Sequence, residues 1–294
     1  MVERRESKLE RDAVVLAGTI WLPDGDPVGG LVMHPGSGAS SRSNDGYFAA
    51  LGRGLIAAGY AVSSYDKRGV GESTGRWEDA SIEIQAGDLI AAHDELSAID
   101  QLSDLPVGVF GHSQGGWVAI NAASRDRDVD FVILNSGPAV SPAVQERFSA
   151  HQALIAGGAD EVTLERGLAR YDLTTRLARA RTPFDDIAPR REELDPYLPA
   201  DEEAWHFWVS ILDFDPRSSL SEIHVPILAL FGEDDRIVPV EESLTILRSL
   251  VPPTRLKTRV FPGANHRIQI GDPPELAPGY VETVIAFLES HAQS

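Results

Sequence analysis

The stretch Gly111-His112-Ser113-Gln114-Gly115-Gly116 constrains this chain more than any other. A short apolar run, Leu105-Pro106-Val107-Gly108-Val109-Phe110, leads into it, and small residues and helix formers from Trp117 to Ala123 follow it. That order predicts a strand, a sharp turn and a helix. At the apex of a G-x-S-x-G turn a serine is forced into a strained backbone conformation, and the flanking glycines let strand and helix pass closely. The Ser113 hydroxyl is then presented to a cleft. A bare G-x-S-x-G string also occurs in ordinary βα loops, so the reading depends on what lies downstream.

A serine hydroxyl needs a base to accept its proton, and the base needs an orienting carboxylate. Both follow in order. The apolar run Pro226 to Phe231 ends in Gly232-Glu233-Asp234-Asp235, which puts an acid at the end of a predicted strand. A second predicted strand, Leu256 to Phe261, ends in Pro262-Gly263-Ala264-Asn265-His266.

On these residues the chain resembles the α/β-hydrolase family, whose triad runs Ser, then Asp or Glu, then His. The resemblance covers almost the whole chain outside residues 141–222. It implies Ser113 as nucleophile and His266 as base. The G-x-x-D-x-x-V-P pattern of many members falls on Gly232, Asp235, Val238 and Pro239, which implies Asp235 as the orienting acid, with Asp234 the alternative. It also implies an oxyanion hole of two backbone N–H groups. One is that of Gln114, after the nucleophile; the other lies after an early strand, in His34-Pro35-Gly36-Ser37-Gly38. Family position points to Gly36, two residues after the histidine; Pro35 stands where glycine is usual, so Ser37 stays open. Asp66 to Ser73 matches a family-like D-x-R-G-x-G-x-S loop. Asp66 and Arg68 are expected to fix its conformation as a charged pair.

Elsewhere predicted strands alternate with helices, which implies a mostly parallel sheet with helices on both faces. Residues 7–22 read as an antiparallel edge hairpin, residues 46–58 and 83–99 as helices, and 129–134 as a strand. The alternation breaks from Ser141 to Glu222, which is helical in character and lies between two strands. The expected organisation is a catalytic domain of residues 1–140 and 223–294 with a helical cap of residues 141–222 inserted. Within the cap, Glu202 to Leu212 carries two apolar stripes: Trp205, Trp208, Val209 and Leu212 form one, and Phe207, Ile211 and Phe214 the other. A helix docks with one apolar face, so a second one implies burial against something else. Trp205, Phe207 and Trp208 are therefore candidate substrate-binding residues; a fully buried helix or a homodimer contact would give the same pattern.

Composition narrows the function. Lys and Arg number 26 against 45 Asp and Glu, a formal net charge of -19 in 294 residues. Such a surface repels phosphates and argues against nucleic acid and anionic membrane as partners. There is no cysteine, which excludes disulfides and a cysteine nucleophile. The charged start Met1 to Lys8 has no apolar run behind it, and no apolar stretch approaches the roughly 18 residues of a membrane span, so a cytoplasmic enzyme is expected. The histidines show no metal-ligand spacing and no G-x-G-x-x-G follows a strand, so neither metal nor nucleotide cofactor is expected. The reading is a serine hydrolase acting on a small to medium apolar ester through an acyl-enzyme. A thioesterase, an acyltransferase or cyclase with the same triad, and a non-catalytic binding protein on this fold are the alternatives.

Overall fold

The computed structural model describes residues 2–291. In chain order the elements are β1 (Glu3–Arg11), β2 (Val14–Leu22), β3 (Gly29–His34), α1 (Phe48–Ala57), β4 (Tyr60–Tyr65), α2 (Ile82–Ser97), β5 (Val107–His112), α3 (Gln114–Arg125) and β6 (Val132–Asn135). Six helices come next: α4 (Pro142–Ala156), α5 (Glu161–Arg179), α6 (Phe184–Ile187), α7 (Arg191–Leu194), α8 (Glu202–Ile211) and α9 (Pro216–Glu222). The chain returns through β7 (Ile227–Gly232), α10 (Val240–Leu250), β8 (Leu256–Phe261), the two-residue strands β9 (Gln269–Ile270) and β10 (Glu275–Leu276), and α11 (Tyr280–Glu289).

Eight strands form one sheet in the order β1-β2-β4-β3-β5-β6-β7-β8. The hairpin β1–β2 is antiparallel and joins β4 antiparallel, and every pair from β4 to β8 is parallel. The edge strand β1 alternates charged and partly buried residues, whereas β3, β4, β5 and β7 are buried along their whole length. Covering helices on both faces require that run of apolar residues. The period of two sorts it: Val32, Val109 and Val132 point to α2, α3 and α10, while Leu31, Phe110 and Ile133 point to α1 and α11.

The segment between β6 and β7 is helical throughout the described residues, as its sequence predicts, and has its own apolar cluster of Ala143, Ala178, Ile187, Leu194, Leu198, Trp205 and Leu212. Its last two helices also reach the main core: Phe207 and Ile211 on α8, Leu220 on α9 and Ile223 after it are part of that cluster, and Asn121 on α3 donates to Ser219 Oγ, so α9 packs against α3. The strand expected at 129–134 is β6, shifted to Val132–Asn135, because Asp130 turns back to accept the Val107 N–H through its carboxylate. No helix among the described residues is long and apolar enough to cross a membrane.

Candidate active site

Ser113 sits between β5 and α3 with φ 55° and ψ −122°, a left-handed conformation for a residue bearing a Cβ. Such strain costs about 1–3 kcal/mol and persists only where neighbours over-determine it. They do so here. Ser113 N–H donates to Asn135 O at 3.0 Å, and Gly116 N–H returns to Ser113 O at 2.8 Å. Glycine is required at two places by close approach: a Cβ on Gly111 would collide with the Gly115 carbonyl, and one on Gly116 would sit 2.5 Å from Gly137 Cα. The sequence therefore folds as an elbow because only hydrogen atoms fit where strand, helix and the loop after β6 meet.

Asp235 lies just past the end of β7 with its side chain fully buried. Its Oδ1 accepts the Ile237 and Val238 N–H groups at 2.8 and 3.0 Å, and its Oδ2 lies 2.8 Å from His266 Nδ1. His266, in the loop after β8, keeps 15% of its side chain exposed. The neighbouring Asp234 is exposed and only its backbone N–H is engaged, with Ala264 O. Binding at Nδ1 leaves Nε2 as the basic nitrogen of a neutral His266 imidazole.

Beneath Ser113 and His266, Asn135 is fully buried and ties three groups together. Its Nδ2 donates to Tyr47 Oη at 3.1 Å and lies 2.9 Å from His112 Nδ1, while its Oδ1 accepts from Tyr280 Oη at 2.7 Å. The His112 ring centroid is 5.1 Å from that of His266. Burial, and then the proximity of His266, holds His112 well below the usual histidine range and keeps it neutral.

A cavity of about 320 Å³ opens over Ser113. Ser37 and Gln114 line it beside the serine; Phe207, Trp208 and Ile211 form an apolar wall, and Gln145, Glu146, Thr174 and Thr175 face it from α4 and α5. Thr175 Oγ1 is buried without a hydrogen-bond partner. Glu146 keeps surface open to the cleft but is crowded by protein, and this desolvation raises its carboxyl above the usual carboxylate range. A larger cavity, about 760 Å³, lies between α1 and the β2–β4 edge and touches none of Ser113, Asp235 and His266.

The candidate substrate residues divide. Phe207 and Trp208 line the cleft. Trp205 does not: it is 1% exposed in the apolar cluster of the helical segment, its Nε1 donates to Thr182 O at 3.0 Å, and it is a packing residue instead of the substrate-binding one expected from the sequence. Of the two oxyanion candidates after β3, Gly36 packs its Cα side against His112 and Ser113, whereas Ser37 is the one exposed to the cleft. The charged pair expected between Asp66 and Arg68 is replaced by two others. Asp66 takes the Arg42 backbone N–H and guanidinium at 2.8 and 2.7 Å, and Arg68 binds Asp88 at 2.7 Å. Lys67, between them, donates to Gly36 O and Gln114 Oε1. Among the described residues His93, Asp94 and Asp126 bring three potential ligand atoms within 4.8 Å of one another. That group lies by Val107, at the other end of β5 from Ser113.

The family described as serine aminopeptidase, S33, matches residues 27–273. A 2-hydroxy-6-oxononadienedioate/2-hydroxy-6-oxononatrienedioate hydrolase of Klebsiella pneumoniae is 28% identical over 207 residues, spanning 67% of each chain. Esterase EstD of Thermotoga maritima is 24% identical over 280 residues; they make up 91% of this chain but only 62% of EstD. Among solved structures the Pyrococcus furiosus esterase Pf2001 has the same fold, with a TM-score of 0.65 at 18% identity over 99% of this chain and 92% of that one. With a single family covering most of its length and the sheet described above, the chain belongs to the S33 family of α/β-hydrolases and is a hydrolase.

Proposed function

We propose that the protein is a serine hydrolase that cleaves a carboxylic ester through an acyl-enzyme. The observation that carries the reading is the Asp235–His266 pair, placed after β7 and β8 of the parallel sheet whose strand β5 leads into the strained Ser113. Ser113 Oγ attacks the ester carbon while His266 Nε2 takes its proton, and the carbonyl oxygen becomes an oxyanion held by backbone N–H groups. Collapse expels the alcohol, which leaves with the proton from His266. Water then attacks the acyl-serine, giving a proton to His266 that returns to Ser113 as the acid departs.

The cleft volume is at the lower end of the usual 300–1,000 Å³ for ligand sites, which supports a small to medium substrate. Its two walls refine the expected apolar compound. An acyl chain suits Phe207, Trp208 and Ile211, and a polar substituent suits Thr175 and Glu146 opposite. The test is a series of p-nitrophenyl esters from acetyl to octanoyl, with acyl thioesters alongside. A pre-steady-state burst of p-nitrophenol and an optimum at short to medium chains are expected. Turnover confined to the thioesters would move the reaction away from esters.

A further inference from the structure

We infer that Lys67 is a positioning residue for the oxyanion hole, holding the Gly36–Ser37 peptide so that the Ser37 N–H, with that of Gln114, faces the cleft. The inference rests on the serine hydrolase reading above. Lys67 follows β4 and is buried. Its ammonium donates to Gly36 O, to Gln114 Oε1 at 2.8 Å and to Gly38 O at 3.4 Å. Three N–H bonds thus meet three neutral oxygens, and among the described residues no carboxylate pairs with it. A buried, unpaired charge is expensive, so a neutral residue would fill this space at less cost unless the cation has a task.

The task follows from peptide geometry. In a planar trans peptide the C=O and the next N–H point in opposite directions. With Gly36 O turned to Lys67, the Ser37 N–H turns away from it, and Ser37 lines the cleft together with Ser113 and Gln114. No acceptor in the described residues takes the Ser37 or Gln114 N–H; the latter, as the first residue of α3, has no helical partner. The Gln114 side chain is anchored by the same ammonium. One cation therefore ties together the two backbone segments that would cradle the oxyanion. Its positive charge also lies behind the peptide whose N–H meets the developing negative charge, which favours the transition state over the ground state.

The titratable groups around Lys67 are His34 on β3, Tyr65 on β4, Arg68 and Asp88 in the small cavity at its stem, and His112 under Gly36. Burial holds both histidines well below their usual range and Tyr65 well above its own, and Arg68 is paired with Asp88. Burial alone pushes the Lys67 amine down to about 7. Loss of its proton removes one of its three donors, so kcat should fall on the alkaline side. An oxyanion nearby favours the ammonium, which puts that limb between about 7 and the ordinary lysine value of about 10.

The experiment measures kcat, KM and their pH profiles on a p-nitrophenyl ester, together with inhibition by a trifluoromethyl ketone whose hemiketal oxyanion occupies the hole. Lys67→Met should lower kcat by about 10²–10³ with KM changed less than about threefold, weaken the ketone by a similar factor and abolish the alkaline limb. Lys67→Arg should recover part of the rate with no limb below pH 10, because a guanidinium stays charged. A folded Lys67→Met with wild-type kcat would overturn the inference. So would a loss of kcat that leaves ketone affinity and the limb intact, since that is a merely structural effect. If Lys67→Met does not fold, the wild type decides: kcat flat from pH 7 to 10 contradicts the role. A wild type that turns over no ester and takes no fluorophosphonate at Ser113 would instead remove the serine-hydrolase reading, and this inference with it.

Discussion

His266 Nδ1 lies 2.8 Å from Asp235 Oδ2, and the other carboxylate oxygen of Asp235 is filled by two backbone N–H groups. The carboxylate is thus fixed in the plane that selects one imidazole tautomer, with Nε2 free to act as base. Asp234 has no such environment. Asp235→Asn should lower kcat by about 10⁴, because the amide supports the wrong tautomer. Asp234→Asn should change it less than about threefold. Steady-state rates on one ester decide, and equal losses would leave Asp235 without its role.

Trp205 and Trp208 sit on one helix but should fail differently when truncated. Trp205→Ala empties a fully packed site among the helices between β6 and β7 and should cost about 3–5 kcal/mol of stability, read by urea denaturation, with activity reduced alike on every ester. Trp208→Ala and Phe207→Ala should shift the preferred acyl chain length, since both side chains face the cleft. An unchanged chain-length profile in both would put specificity elsewhere.

Asn135 supports the site from below. Asn135→Leu takes the buried amide away from the Tyr47 and Tyr280 hydroxyls, while His112 Nδ1 keeps the backbone oxygen of residue 135 within 3.3 Å. At about 1–3 kcal/mol per unsatisfied group, and with incomplete additivity, the loss should be about 2–5 kcal/mol. A change below about 1 kcal/mol would show that these groups find other partners.

His34 and His112 set a pH dependence of stability. Burial comes first among the causes that hold both well below the usual histidine range in the folded state. Unfolded, they titrate near about 6.5. Below that pH the unfolded chain binds protons that the native state refuses, so stability falls as pH drops, with a slope of about 1.4 kcal/mol per pH unit for each histidine. His34→Gln should flatten the urea-midpoint profile between pH 7 and 5; a profile identical to wild type would contradict the assignment.

What the sequence made legible was local. The elbow is a contiguous string in which Gly111 answers to Gly115 four positions on, although Gly116 answers to Gly137 after β6; the acid follows an apolar run and the histidine an alternating one, both recognisable as strands. Pairings across the fold were not legible. Asp66 and Arg68 look like partners two residues apart, but the chain turns between them and each binds a residue more than 15 positions away. Lys67 carries no sequence signal for its role, because its acceptors Gly36 and Gln114 are 31 and 47 residues distant. On α8 the two stripes were visible. Which neighbour each would meet was not: Trp205 turned into the apolar cluster of the helical segment, and the cleft opened beside Phe207 and Trp208.

That Ser113 is the nucleophile is read by intact-mass and peptide mass spectrometry after reaction with a fluorophosphonate. One adduct per chain is expected, on the peptide carrying Ser113. Ser113→Ala should take no adduct and should have a kcat lower by about 10⁴–10⁶ with the fold retained. An adduct on another residue, or turnover by Ser113→Ala at the wild-type rate, would contradict that role.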